Sequence, residues 1–407
     1  MRNRQQTILF ITNLILFFTG TGLFPLFPLY AARFGTSQTV IGIFLASLSG
    51  MNAVGALLAS RSLERIPAKK LFIGVGAVGV PALFLLSQAS VFWLALVAAA
   101  LLWFSGGMVS ALLNVLTGLS VEAEARGRAF SLLFVAASIG VVLGGTGVGA
   151  LVSRLGYTPT FAIMAFIWAV IPALGLFLAR TEGANNAATP GSTPAAATPP
   201  AAPGRAFYLL LASILAITAA VQMGNLAALL GMQAARFSAA AISSTTVVSG
   251  LIAIPVSLSA GTLSDRFGRH KLLLLSYFLV VFTVLPLAGA AHLWHFSAGI
   301  ALLLVAMTVV RPVAAALATD LLEPAALQRG LPLLEASIMG VGVVSSAGTG
   351  YLLENFGSML VAVLAATLAL SGSATLALLS GRGGRSRLAL GARLFSRPEP
   401  ANQPGPC

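Results

Sequence analysis

GTLSDRFGRHKL, residues 261–272, sets Asp265, two arginines, His270 and Lys271 between two long apolar runs, in a chain otherwise dominated by Ala, Leu, Val and Gly. A worn copy, SRSLERIPAKKL, lies 201 positions earlier at residues 60–71. At that offset Glu64 falls opposite Asp265, Arg65 opposite Arg266, Lys70 opposite Lys271 and Leu71 opposite Leu272. The same shift carries Glu122 onto Glu323, Arg128 onto Arg329, and Gly147, Gly149 and Gly156 onto Gly348, Gly350 and Gly357. One shift that aligns two charged loops and a glycine pattern implies two homologous halves.

Charged residues are 8% of the 407, against about a quarter in ordinary globular proteins. Apolar residues are 58% and mean hydropathy is +0.96. Such a chain cannot furnish the polar surface of a soluble protein, and it reads as an all-α integral membrane protein. The net charge of +13 does not point to nucleic acid, because the basic residues sit in short loops and tails. Cys407 is the only cysteine, so no intrachain disulfide is expected. The first apolar run is too long for the core of a signal peptide and lacks a small-residue cleavage site, so it is expected to stay as the first span.

Crossing a bilayer takes about 20 apolar residues. Runs of that kind fall near 7–31, 39–59, 71–88, 91–119, 129–152 and 158–179, then near 206–232, 240–262, 272–290, 297–321, 331–353 and 358–380. The predicted organisation is an N-terminal six-helix bundle (1–180), a Pro-, Ala- and Thr-rich flexible linker (181–205), a C-terminal six-helix bundle (206–381) and a basic, then Pro-rich tail (382–407). With the N-terminus inside, 19 Lys and Arg face the cytoplasm and three, Arg33, Arg154 and Arg236, face outward. The positive-inside rule therefore puts linker and both termini in the cytoplasm. A plasma membrane of the bacterial inner-membrane type is the expected location.

The carboxylates and arginines of the two loops fall at cytoplasmic helix ends. Asp265, Arg266, Gly268, Arg269, Glu323 and Arg329, with Glu64, Arg65, Glu122 and Arg128 in the first copy, are expected to form a charge network that holds those ends together in one state and releases them in the other. The competing reading is that these charges only set topology. Gly140, Gly144, Gly145, Gly147 and Gly149 in span 5, and Gly340, Gly342, Gly348 and Gly350 in span 11, predict seams of close helix packing on which the halves rock.

Two sixes of spans joined by a cytoplasmic linker resemble the major facilitator superfamily, and within it the drug and metabolite efflux permeases. The sharpest match is the loop signature Gly-x-x-x-Asp-Arg-x-Gly-Arg-[Arg/Lys], met at Gly261, Asp265, Arg266, Gly268 and Arg269, with His270 and Lys271 following. The first copy departs from it at Ser60, Glu64, Pro67 and Ala68. The resemblance implies that spans 1, 4, 7 and 10 line a central cavity. Asn13, Asn114, Gln222, Asn225 and Arg311 are the substrate-binding candidates on those spans. The amides would serve equally as helix cross-braces. Arg311, near mid-membrane, would bind an anionic group or pair with a carboxylate.

Asp320 and Glu335 are the carboxylates within second-half spans and the candidates for proton coupling, or else members of the charge network. No phosphate-binding loop and no metal-ligand cluster occurs, so neither cofactor nor metal is expected. The expected function is secondary active transport by alternating access, as proton-coupled efflux (an antiporter) of a small lipophilic compound. Uptake or exchange of a sugar or organic anion is the alternative, and a non-transporting membrane sensor or scaffold is the alternative of another class. The expected partners are a small-molecule substrate, protons and the lipid bilayer, without nucleic acid, acting as a monomer. No enzymatic activity is expected.

Overall fold

The computed structural model describes residues 2–63, 65–120, 126–178, 204–322 and 324–395. Within these ranges the side chains of residues 2–3, 60, 118–120, 126–131, 134, 253–254, 257–258, 260–265, 319–320, 324–332, 335 and 380–395 are not described. Every regular element among the described residues is helical. In chain order these are α1 (Arg2–Leu23), a 3₁₀ turn (Phe24–Leu26), α2 (Phe27–Ala32), α3 (Gln38–Leu63), α4 (Ala68–Gln88), α5 (Phe92–Ser120) and α6 (Arg126–Leu155). There follow α7 (Tyr157–Leu176), α8 (Arg205–Ala234), α9 (Ala239–Phe267), α10 (Arg269–Leu287), α11 (Leu293–Leu321) and α12 (Pro324–Phe395).

Hydrocarbon offers a backbone amide no partner, so segments this apolar satisfy their N–H and C=O groups within helices. Ten helical stretches among the described residues are long and apolar enough to cross a membrane. One of them, Ala336–Leu379, contains a break at Gly357, and a shorter apolar stretch, Ala239–Ile252, belongs to α9. The protein is a multi-pass membrane protein, and the arrangement is consistent with twelve crossings in two sixes.

The first run, read near 7–31, forms one span, Arg4–Ala32, with a 3₁₀ turn inside it. Pro25 and Pro28 have no N–H to donate, and the chain tightens into the 3₁₀ turn before α2 resumes.

The offset of 201 reappears in the backbone. Gly35 at φ 70° answers Arg236 at φ 58° in the turns before α3 and α9. Gly156, at φ 81° and ψ 179°, answers Gly357, at φ 80° and ψ 176°. Gly156 separates α6 from α7, and Gly357 divides α12 into two limbs in the same way. Buried apolar side chains form two clusters. One runs from Ile8 to Leu178 with Leu226, Leu230 and Ala239, and the other from Phe207 to Leu379.

Where the halves meet, the contacts lie toward the face opposite the chain termini. On α6, Gly140 and Gly144 let α1 approach at Leu14 and Phe18, while Gly145 and Gly149 turn to Val247 and Ser243 of α9. The related contact sets Gly42 of α3 against Ser346 and Gly350 of α12. Gly340 and Gly348 of the predicted α12 seam have open space around them, so Gly350 is the residue that makes that seam.

Backbone at φ near 80° and ψ near 180° is accessible to glycine almost alone, and strain of this kind costs about 1–3 kcal/mol. Neither Gly156 nor Gly357 has a neighbour that an added Cβ would strike. Gly156→Ala and Gly357→Ala are therefore expected to lower the melting temperature of the detergent-solubilised protein purely through conformation. Gly348→Ala, equally uncrowded but helical, should not lower it.

Candidate functional site

A cavity of about 520 Å³ lies between the halves, within the range of small-molecule sites. The break in the first span helps to form it, since Phe24 and Pro25 of the 3₁₀ turn belong to its lining with Leu16, Phe17, Thr19, Gly20 and Thr21 of α1. α5 contributes Leu102, Trp103, Gly106 and Ser110, α3 contributes Asn52 and α7 contributes Trp168. From the second half come Gln222, Asn225 and Leu229 of α8, Thr245, Thr246 and Ser249 of α9, and Ile300 and Leu304 of α11.

The two walls differ in chemistry. The aromatic lining, Phe17, Phe24, Trp103 and Trp168, comes entirely from the first half. Trp103 is held edge-on against Phe27, ring centroids 5.1 Å apart, and the Trp168 indole N–H donates to the Gly76 carbonyl at 2.9 Å. Both rings are thus fixed in place before any ligand arrives. The second-half wall carries two amides and three hydroxyls and no ring, and the first-half wall adds the Asn52 amide and the hydroxyls of Thr19, Thr21 and Ser110 to its rings. None of the lining residues is charged. Thr19 is 1% exposed, and its hydroxyl has no hydrogen-bond partner among the described residues.

Helix contacts hold this geometry. A Cβ on Gly107 would run into the Asn52 carbonyl and one on Gly55 into the Phe104 carbonyl, so α3 and α5 cross backbone to backbone beside Asn52. Toward the face of the termini, Leu57 on α3, Val135 on α6, Leu251 on α9 and Leu333 on α12 are exposed.

The residues singled out from the sequence fall in different places. Gln222 and Asn225 line the cavity. Asn13 is buried on α1 and donates from Nδ2 to the Leu133 carbonyl of α6 at 2.7 Å, bracing the two helices. Asn114 is exposed one turn beyond Ser110 and outside the lining. Arg311 is exposed on α11 and also outside the lining. It lies seven residues beyond Leu304, about 10 Å along the helix and on the same face. Its counterpart at the offset of 201, Ser110, does line the cavity.

In the loops, Arg65 and Arg266 are exposed and Gly268 precedes α10 at φ 86°. Arg269 donates from Nη1 to the Ala316 carbonyl at 3.1 Å, and Lys69 donates to the Leu176 and Leu178 carbonyls at 2.6 and 2.8 Å. Both basic groups thus reach carbonyls in or just past the last turns of α11 and α7, where positive charge is favourable. Glu64, Glu122 and Glu323 lie outside the described residues, as do the side chains of Arg128, Asp265, Asp320, Arg329 and Glu335. The pairings of the charge network and the proton-coupling candidates therefore fall outside the description. No group of three His, Cys, Asp or Glu able to hold a metal occurs among the described residues.

Asn52, Trp168 and the hydroxyls of α9 were not among the residues read from the sequence. Asn52, Trp168 and α9 lie on spans 2, 6 and 8, outside the four spans taken as lining. A signal was present in SSTTVVS, residues 243–249, a polar run inside an otherwise apolar span.

Two bundles enclosing a central cavity are the architecture of a membrane carrier. The family model of the Major Facilitator Superfamily matches residues 9–232, more than half of the chain, and the chain belongs to that superfamily. Among solved structures the nucleoside transporter NupG, crystallised as a point mutant, is similar over 92% of this chain and 99% of its own, with a TM-score of 0.76 and 14% identity. A peptide transporter POT in complex with sulfate is similar over 93% of this chain and 95% of its own, with a TM-score of 0.74 and 13% identity. A POT family transporter in complex with 5-aminolevulinic acid is similar over 93% and 96%, with a TM-score of 0.74 and 10% identity. At these identities the likeness establishes the fold. No curated protein matches the chain in sequence.

The placement of Asn13 separates bracing from binding. Interhelical hydrogen bonds in membranes average about 0.6 kcal/mol. Asn13→Ala is expected to lower thermal stability by about that much while leaving the KM for transport unchanged. A raised KM with unaltered melting would assign Asn13 to the substrate instead.

Proposed function

We propose that the protein is a secondary active transporter that binds an uncharged, largely apolar compound in the central cavity and exports it in exchange for protons, with both termini in the cytoplasm. The observation that carries the substrate class is the lining, which has rings on one wall, amides and hydroxyls on both, and no charge. Such a site suits a compact solute with a flat apolar face and a hydrogen-bonding edge. The uncharged lining also favours this reading over an organic anion, since Arg311 stands about two turns away.

The direction follows from the same chemistry. A largely apolar solute partitions into lipid and enters a cell unaided, so only its outward movement needs a carrier. Protons are supported by the positions of Asp320 and Glu335 in the sequence, since ionisable groups within spans are costly and mark ion pathways. Alternation would proceed by rocking of the two bundles about the cavity.

The test uses purified protein in liposomes that enclose a pH dye, with gradients of neutral aromatic compounds, lipophilic cations, sugars and organic anions imposed in turn. Proton movement driven by the neutral aromatic set alone is the expected result. Tracer flux of sugars or anions without a dye response would replace this reading with the uptake or exchange alternative. Gln222→Ala and Asn225→Ala should each raise KM about five-fold, the scale of one lost hydrogen bond.

A further inference from the structure

The face opposite the termini is closed by two contacts that the offset of 201 relates to each other. An α-helix leaves its first N–H groups without intrahelical partners. Where α3 begins, the Ser37 carbonyl accepts from Ile41 N–H at 3.0 Å and the Ser37 hydroxyl from Val40 N–H at 3.4 Å. Where α9 begins, the Ser238 carbonyl accepts from Ile242 N–H at 3.0 Å and the Ser238 hydroxyl from Ala241 N–H at 3.2 Å. Each of these positions differs from its counterpart by 201.

One further N–H at each start is taken by the opposite half. Thr39 N–H donates to Glu354 Oε2, on α12, at 2.7 Å. Ala240 N–H donates to Ser153 Oγ, on α6, at 3.1 Å. Thr39 and Ala240 are related by 201, and so are Ser153 and Glu354. The close backbone contacts beneath them pair off in the same way, Gly42 with Gly350 and Ser243 with Gly149.

We infer that Glu354 and Ser153 are positioning residues of the transport cycle, each capping the first turn of a helix in the opposite half only while the face opposite the termini is closed. Parting the halves on that face breaks both caps, and the helix starts then keep only their local Ser37 and Ser238 bonds. The two latches are unequal. A carboxylate at a helix N-terminus bonds to the N–H and also meets the positive end of the helix dipole, whereas a hydroxyl only bonds. The α3–α12 latch is therefore the stronger, and the chain holds that face shut mainly through Glu354.

The experiment reads the accessibility of both faces at once and needs no substrate, so it stands or falls separately from the proposed function. In a Cys407→Ser background, Ser346→Cys reports on the closed seam, where Ser346 is 6% exposed, and Leu57→Cys reports on the face of the termini, where Leu57 is 62% exposed. Maleimide labelling is followed in nanodiscs, where both faces meet solution. Adding Glu354→Ala is expected to speed labelling at position 346 about two- to five-fold and slow it at position 57, with Ser153→Ala acting in the same direction but less. Glu354→Asp should restore the original rates. Should Glu354→Ala fail to fold, Glu354→Gln removes the charge at constant shape and is expected to show a smaller shift of the same sign. Unchanged labelling at position 346, or faster labelling at both positions, would overturn the inference, because the contact would then be inert or merely stabilising.

Discussion

Helices in a bilayer gain little from hiding apolar surface from one another, since lipid is as apolar as leucine, and their association rests on close packing. Backbone-to-backbone approach at small residues is therefore the interaction on which this structure depends. Gly144 against Phe18 and Gly107 against Asn52 fix the shape of the first bundle. Gly149 against Ser243 and Gly350 against Gly42 join the bundles at one face. The same contacts bear on what is free to move, because small residues interlock less than long side chains when the halves tilt, the Glu354 and Ser153 caps apart.

Duplication built the scaffold and divergence built the site. The turns, helix starts and inter-half contacts still obey the offset of 201, down to matching backbone angles at Gly156 and Gly357. The cavity wall does not. Trp103 is answered by Leu304, Phe24 by Asn225, Thr21 by Gln222 and Ser110 by Arg311. Rings line the first half's wall alone while amides and hydroxyls line both, so a ligand that contacts both rests on chemically different surfaces that move relative to each other. Such a ligand biases the two states only through contacts that differ between them, and a split wall supplies such a difference.

Much of the architecture was legible in the sequence because the bilayer leaves few alternatives. Long apolar runs become helices, and a shared offset becomes a pseudo-twofold arrangement. The 3₁₀ turn inside the first span was marked by Pro25 and Pro28, yet hydropathy does not sense a lost N–H, and the turn is not visible in it. The site was less legible. Asn13 and Gln222 look alike in sequence, an amide within an apolar run, and only the rotation of each helix decides that one braces Leu133 and the other faces the cavity. Asn52 and Trp168 sit on helices that contribute single residues to the lining, and no local pattern distinguishes such a residue from a packing residue. Nothing local in the sequence marks Glu354, because its partner Thr39 is 315 positions away.

Two pairs of exposed residues related by the offset report most directly on the central claim, that the two bundles rock about the cavity as quasi-equivalent bodies. Ile66 and Phe267 stand on the face of the termini, and Trp93 and Trp294 on the face opposite. Spin-label distances measured across each pair, with and without saturating substrate, are predicted to change reciprocally, the Ile66–Phe267 distance shortening as the Trp93–Trp294 distance grows. Distances that stay constant, or that lengthen together, would contradict the account.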